Sequence, residues 1–287
     1  MENMPMCIAL DLDGTTLDHT GNLSEVNREA IEYAISKGVH IIIASGRSFQ
    51  SLPKSVTEIP GMEYAVTSNG ASVCHVPTGK ILQGYTIEEN VVHRILELTE
   101  DEEIVYEAFI DGHAYADVAY VRDPVRYGAS PEAVEYVKGT RQFVENMQQF
   151  MRAHAGELDS IDIVVRNLEM KDRIREKLAC ISDEIYLTSS VDQLVEIADK
   201  NAGKASGLKY LKEQLKIPRE HMAAFGNADN DIDMIRYAGY GYAVDNASEH
   251  CKEAADHIVG SNDEDGVAQG IYEFLNCMEE KFAHGEN

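Results

Sequence analysis

Short apolar runs alternate with amphipathic stretches along this chain, the pattern of a sheet with helices on its faces. Met6 to Leu10 is the first run. A polar turn follows, then SEVNREAIEYAISKG, where Ser24 can cap a helix, Val26, Ala30, Ile31, Ala34 and Ile35 form one apolar stripe, and Gly38 ends it. Val39 to Ala44 and Tyr64 to Val66 read as the next strands, and Met222 to Phe225 and Tyr240 to Val244 as two more near the C-terminus. Each run stops at polar or small residues.

From about residue 84 to 190 the texture changes. EIVYEAFIDGHAYADV reads as a hairpin turning at Asp111 and Gly112, and IDIVVRN and DEIYLTSS read as further strands between helices. The expected organisation is an α/β protein. Residues 1–83 and 191–287 form a doubly wound, mostly parallel, Rossmann-like core, and residues 84–190 form an inserted α+β cap.

The length of 287 residues agrees with about two domains at roughly 150 residues each. With 44% apolar and 26% charged residues, the chain reads as an ordinary folded protein rather than a disordered or low-complexity one. Its net charge of −25 opposes phosphate backbones and anionic lipid, so neither nucleic acid nor a membrane is an expected partner. The 5 cysteines are odd in number and lack any CxxC pair, which fits reduced thiols and a cytoplasmic location. No basic leader and no apolar run long enough to span a bilayer is visible. Oligomeric state leaves no sequence signal.

The candidate chemistry collects at strand ends. CIALDLDGTTLD runs from the first strand into Asp11, Leu12, Asp13, Gly14 and Thr15, and in open α/β sheets the carboxyl ends of strands border the ligand crevice. Gly14 allows the sharp turn that brings Asp13 beside Asp11. Ser45-Gly46-Arg47 follows the second strand with a hydroxyl and two backbone amides suited to an anion. Ser68-Asn69-Gly70-Ala71 follows the third, and Gly226-Asn227-Ala228-Asp229-Asn230-Asp231 follows HMAAF. Lys204 in NAGKASGL adds a cation. Any one of these segments reads equally well as a solvated turn or a helix cap. Together they supply metal-binding oxygens and anion-binding donors.

Electrostatics explains the combination. A phosphate dianion about 4 Å from one carboxylate is opposed by roughly 8 kcal/mol at an effective dielectric of about 20. A nucleophilic Asp therefore needs cations beside it, here Lys204 and a divalent metal. Mg²⁺ favours carboxylate, carbonyl and water oxygens, which Asp11, the Asp13 main chain and residues near 227 can provide.

These ordered motifs resemble the haloacid dehalogenase (HAD) superfamily of phosphohydrolases, in its Cof-type, subclass IIB branch. DLDGT at 11–15, Ser45-Gly46-Arg47, Lys204 and GNADNDIDMI at 226–235 match the four family motifs in order, and SNGA at 68–71 is similar to the family pattern. The resemblance implies a Mg²⁺-dependent phosphatase acting on a small phosphorylated metabolite, such as a sugar or cofactor phosphate. Asp11 would form an aspartyl phosphate, and Asp13 would serve as acid and then base. Ser45, the Leu12 and Gly46 amides, Lys204 and Asn230 would hold the phosphate, and Arg47 and Asn69 would touch the rest of the substrate. Asp11, Asp13, Asn227 and Asp231 form the implied metal set.

One position departs from the family's GDxxND motif: Asn227 replaces its first acid. Asn still offers an amide oxygen, and Asp231 could serve either as an acceptor behind the metal or as a substitute ligand. Two other functions use the same residues: a sugar phosphomutase and a non-catalytic phosphometabolite-binding protein. Other motifs fail. The alternating Asp229, Asp231 and Asp233 lack the EF-hand glycine and final glutamate, Ala198 and Ala205 break a P-loop around Lys204, and GYGYAV at 239–244 lacks the third dinucleotide-binding glycine. The 10 histidines show no metal-ligand spacing.

Overall fold

The computed structural model describes residues 5–284. The expected early strands are Met6–Leu10 (β1), Val39–Ala44 (β2) and Tyr64–Thr67 (β3), followed by a hairpin of Ser72–His75 (β4) and Lys80–Gly84 (β5) that the apolar pattern does not reveal. The inserted region supplies Val105–Ile110 (β6), His113–Asp117 (β7), Arg141–Val144 (β8), Ser160–Val164 (β9), Ile185–Thr188 (β10) and Leu194–Asp199 (β11). The chain returns through Met222–Gly226 (β12), Tyr240–Val244 (β13) and His257–Val259 (β14).

Two sheets result. The core sheet has the order β14-β13-β12-β1-β2-β3-β4-β5, parallel through β3 and antiparallel beyond it. Both of its faces are covered. Met6, Ile8 and Leu10 of β1 join one apolar cluster, while Cys7 and Ala9 join the cluster on the other face, the alternation of a strand buried on both sides. Helix Glu25–Ser36 packs on the first face, capped where expected by Ser24, whose Oγ accepts from Asn27 N at 3.0 Å. Successive strands run outward in opposite directions from the β1–β12 pair. The carboxyl ends of these two strands are the topological switch point, where open α/β sheets bind ligands.

The second sheet has the order β10-β11-β9-β6-β7-β8 and is mixed. Its predicted hairpin forms: Ile110 pairs with His113, and Asp111 and Gly112 both take positive φ, as a tight two-residue turn demands. Cap pairing continues past residue 190, because Leu194–Asp199 lies between β9 and β10 in this sheet. LVEIAD reads poorly as a strand in sequence, since Glu196 interrupts its apolar run.

The loops that carry the candidate site touch backbone to backbone. Gly203 N donates to the Asn69 carbonyl at 2.8 Å, and a Cβ on Gly70, which has φ +88°, would lie 2.0 Å from the Gly203 carbonyl oxygen. Gly70→Ala should therefore lower unfolding free energy by about 3 kcal/mol, measured by urea titration. A loss below about 0.5 kcal/mol, the level of an ordinary surface substitution, would contradict the close approach.

Candidate active site

Asp11 follows β1 at the switch point, its backbone N–H donating to the Phe225 carbonyl of β12 at 3.1 Å. Lys204 begins the helix Lys204–Leu215. Its ammonium has no solvent exposure and donates to Asp11 Oδ1 at 2.7 Å and to Asp231 Oδ1 at 2.6 Å. The other Asp231 oxygen accepts from the backbone N–H groups of Asn227 at 2.9 Å and Ala228 at 3.0 Å. Both Asp231 oxygens are thus engaged. The residue acts as an acceptor that fixes Lys204 and the 227–228 turn, and of the two places that the sequence leaves open to it, this geometry favours the one behind the metal.

Burial dominates the ionisation of this group. Desolvation and the Asp231 carboxylate push Asp11 up to about 7 against the opposing pull of Lys204. Burial works against the Lys204 ammonium, but Asp11 and Asp231 outweigh it and hold its pKa above the ordinary lysine value.

Three oxygens converge beside Asp11. One terminal atom of the Asn227 amide lies 3.2 Å from Asp11 Oδ2, 3.2 Å from the Asp13 carbonyl and 3.0 Å from Thr15 Oγ1. The amide nitrogen in this place donates to all three, whereas the amide oxygen there completes a carboxylate–carbonyl–amide set of hard oxygen donors, which fits Mg²⁺. Gly14 makes the approach possible: it has φ +73°, and a Cβ there would lie 2.6 Å from Asn227 Nδ2. Among the described residues there is no cluster of three or more His, Cys, Asp and Glu placed to hold a metal, so a cation here would need carbonyl and amide oxygens beside the Asp11 carboxylate.

The remaining sequence candidates surround one cavity of about 290 Å³ between the core and the cap. Asp13, Ser45, Gly46, Arg47 and Asn230 line it with Asp11. Leu12 is fully buried beneath it and can offer only its main chain. Ser45 Oγ accepts from the Arg47 N–H at 3.2 Å. Arg47 grips Asp13 through two hydrogen bonds, Nε to Oδ2 at 2.8 Å and Nη2 to Oδ1 at 2.6 Å. Asn69 accepts from Asn230 Nδ2 at 3.0 Å and donates to Glu196 Oε1 of the cap at 3.0 Å. It bridges core and cap behind the cavity rather than lining it.

With that geometry established, known proteins resolve the family. The model of haloacid dehalogenase-like hydrolases matches residues 8–271. The chain belongs to this family. Phosphatase YwpJ of Bacillus subtilis is 30% identical, the match covering 93% of this chain and 99% of that protein. The 5-amino-6-(5-phospho-D-ribitylamino)uracil phosphatase YcsE of the same organism is 29% identical over 92% of this chain and 93% of its own. A solved haloacid dehalogenase-like hydrolase from B. subtilis superposes with a TM-score of 0.79 at 26% identity, covering 93% of this chain and 99% of that one. This HAD-like hydrolase is a phosphatase, a phosphoric monoester hydrolase. Among its described residues no helix is long and apolar enough to cross a membrane.

The cavity is also lined by residues that the motifs do not contain. Tyr136 of the cap lies between two guanidinium groups, Arg47 at 4.2 Å and Arg141 at 4.6 Å from its ring centre. Arg141 in turn forms a two-point ion pair with Glu107 at 2.7 and 2.9 Å, almost entirely buried. Asp162 and Glu196 complete the cap wall. A signal for the acids existed: each stands between apolar residues within a strand, in VYEAFI, SIDIV and LVEIAD.

Because Asp11 is raised in the fold from an ordinary 3.8 to about 7, its contribution favours folding below pH 4 and is lost as pH rises through 7. In a metal chelator, Asp11→Asn should therefore gain stability relative to the parent chain between pH 5 and pH 8, as read by denaturant titration. A pH-independent difference would contradict the assignment.

Proposed function

We propose that this hydrolase releases phosphate from the monoester of a small metabolite, a sugar phosphate or a cofactor phosphate, through an aspartyl phosphate on Asp11 with Mg²⁺ as cofactor. The observation that carries this reading is the buried Lys204 ammonium 2.7 Å from Asp11. A carboxylate held against a cation at the switch point is a nucleophile prepared to meet an anion. The name of YcsE, a phosphatase for a phosphoribityl compound, supports a small phosphorylated metabolite as the substrate class.

Asp11 attacks phosphorus while the bond to the ester oxygen breaks, and Asp13 supplies a proton to the departing alkoxide. Asp13 then takes a proton from the water that attacks phosphorus, which frees Asp11 and yields alcohol and inorganic phosphate. The backbone amides of Leu12 and Gly46, the Ser45 hydroxyl, Asn230 and Lys204 orient the phosphoryl oxygens and offset their charge. Arg47, through its two hydrogen bonds, holds Asp13 in place, and Asn69 stands behind the leaving-group side. Asp231 positions Lys204. Mg²⁺ would be held by the Asp11 carboxylate, the Asp13 carbonyl and the Asn227 amide oxygen, where it offsets the repulsion between carboxylate and phosphate.

Two measurements test this reading. A panel of phosphorylated metabolites should give Mg²⁺-dependent phosphate release that Asp11→Asn reduces by at least about a thousandfold; release that survives the substitution, or an isomerised sugar phosphate without free phosphate, would overturn it. Asn227→Asp adds a ligand charge, and ligand charge is a main determinant of affinity for hard cations. The substitution should lower the Mg²⁺ concentration for half-maximal release by about tenfold, and an unchanged value would remove Asn227 from the metal set.

A further inference from the structure

The cap sheet carries a row of three acids that no step of the phosphoryl chemistry uses. Glu107 of β6 pairs directly with Asp162 of β9, and Asp162 pairs directly with Glu196 of β11, so all three side chains leave the same face of the sheet. That face lines the cavity above Asp11. The opposite face of the same strands, including Ile161, Ile163 and Val195, packs under the cap helices. Like charges directly opposite one another are destabilising in a sheet, and this row is 1–5% exposed.

The two outer acids have partners. Glu107 is matched by Arg141 through two hydrogen bonds. Glu196 accepts from Asn69 of the core on one oxygen and from the Ser190 N–H on the other. Asp162 has no hydrogen-bond partner among the described residues, although it is 95% buried in the sense of its 5% exposure and borders the cavity. Burial, then the Glu196 and Glu107 carboxylates, raise its pKa well above the ordinary aspartate value, with Arg141 the weaker opposing influence. Tyr120, which also lines the cavity, feels the Asp162 carboxylate in turn. The Asp162 carboxyl borders the cavity, so its hydrogen bonds come from there: from water in the free protein, and from a polar group of the substrate once that water is displaced. A ligand that displaces this water must return its hydrogen bond or leave the carboxyl desolvated.

We propose that Asp162 determines specificity by hydrogen-bonding the leaving group of the ester, and that the preferred leaving group presents a hydroxyl or amino donor to it. This rests on the hydrolase reading for its chemistry and adds which end of the substrate is selected, by which residue and for what property. An anionic group at the end distal to the ester is excluded, because it would enter a recess already holding three carboxyl groups. An apolar leaving group returns no hydrogen bond to Asp162, so it gains nothing from this contact.

The test compares the parent chain with Asp162→Asn and Asp162→Leu on three kinds of ester: polyol phosphates, amino-alcohol phosphates, and p-nitrophenyl phosphate, which has no donor on its leaving group. Asp162→Leu should lower kcat/KM about tenfold or more for the donor-bearing class that the enzyme uses, with p-nitrophenyl phosphate unchanged, and Asp162→Asn should retain part of the activity. The polyol and amino arms decide which donor is used. Both variants should melt at or above the parent temperature, since neither removes a partner from the fold; a residue kept for structure would lower it. Equal effects on all esters, or none, overturn the proposal.

Calorimetry with the corresponding free alcohols separates the two readings. Asp162-dependent binding of these alcohols without hydrolysis of any ester sinks the hydrolase reading alone. Hydrolysis that is indifferent to Asp162, with no alcohol binding, sinks this one alone.

Discussion

The active site is organised around one ammonium group with no access to water. An isolated charge at the position of Lys204 would be untenable, so the fold must place Asp11 and Asp231 within hydrogen-bond reach of it. The two carboxylates are equally dependent on the lysine, because without it they repel each other in a low-dielectric interior. Three segments far apart in the chain, at 11, 204 and 231, are therefore obliged to assemble together. The Asn69–Gly203 backbone contact and the amides that bind Asp231 are the means by which their loops are held. Two carboxylates against one ammonium leave a net negative charge beside Asp11, which opposes a phosphate ester unless a further cation offsets it.

Closure of the cap and alignment of the acid–base group are linked through shared side chains. Arg47 holds Asp13 by two hydrogen bonds and at the same time stacks on Tyr136 of the cap. On the other side of the cavity Asn69 reaches Glu196, and the tip of the β6–β7 hairpin accepts from Gln50 N of the core through the Gly112 carbonyl at 3.0 Å. A displaced cap would withdraw Tyr136 from Arg47 and relax the grip on Asp13. The orientation of Asp13 is in this way conditional on the cap being seated.

The core was legible in sequence because its signals are local. Buried parallel strands read as continuous apolar runs, and motif residues sit immediately after them, as with Leu10 into Asp11 and Gly226 into Asn227. What escaped was of two kinds. The β4–β5 hairpin has an exposed outer strand, KILQG, so its hydrophobic pattern is weak. Leu194–Asp199 was hidden because Glu196 breaks its apolar run, and the cap therefore continues past the point where composition suggested its end. Asp231 could be named but not placed, since only the fold shows that both of its oxygens are already engaged.

The same physics separates the role of Lys204 from that of Asp162. Both are buried ionisable groups in the middle of the molecule. Lys204 finds its partners within the chain, so its burial is part of what specifies the native arrangement. Asp162 lies between two acids whose own partners are taken, and the fold offers it none. A carboxyl in that position depends on the cavity for its hydrogen bonds, on water in the free protein and on a polar group of whatever ligand displaces that water. The sequence carries the trace of this difference: Lys204 stands at the head of a helix among motif residues, whereas Asp162 interrupts SIDIV, a strand that any apolar residue would have served better.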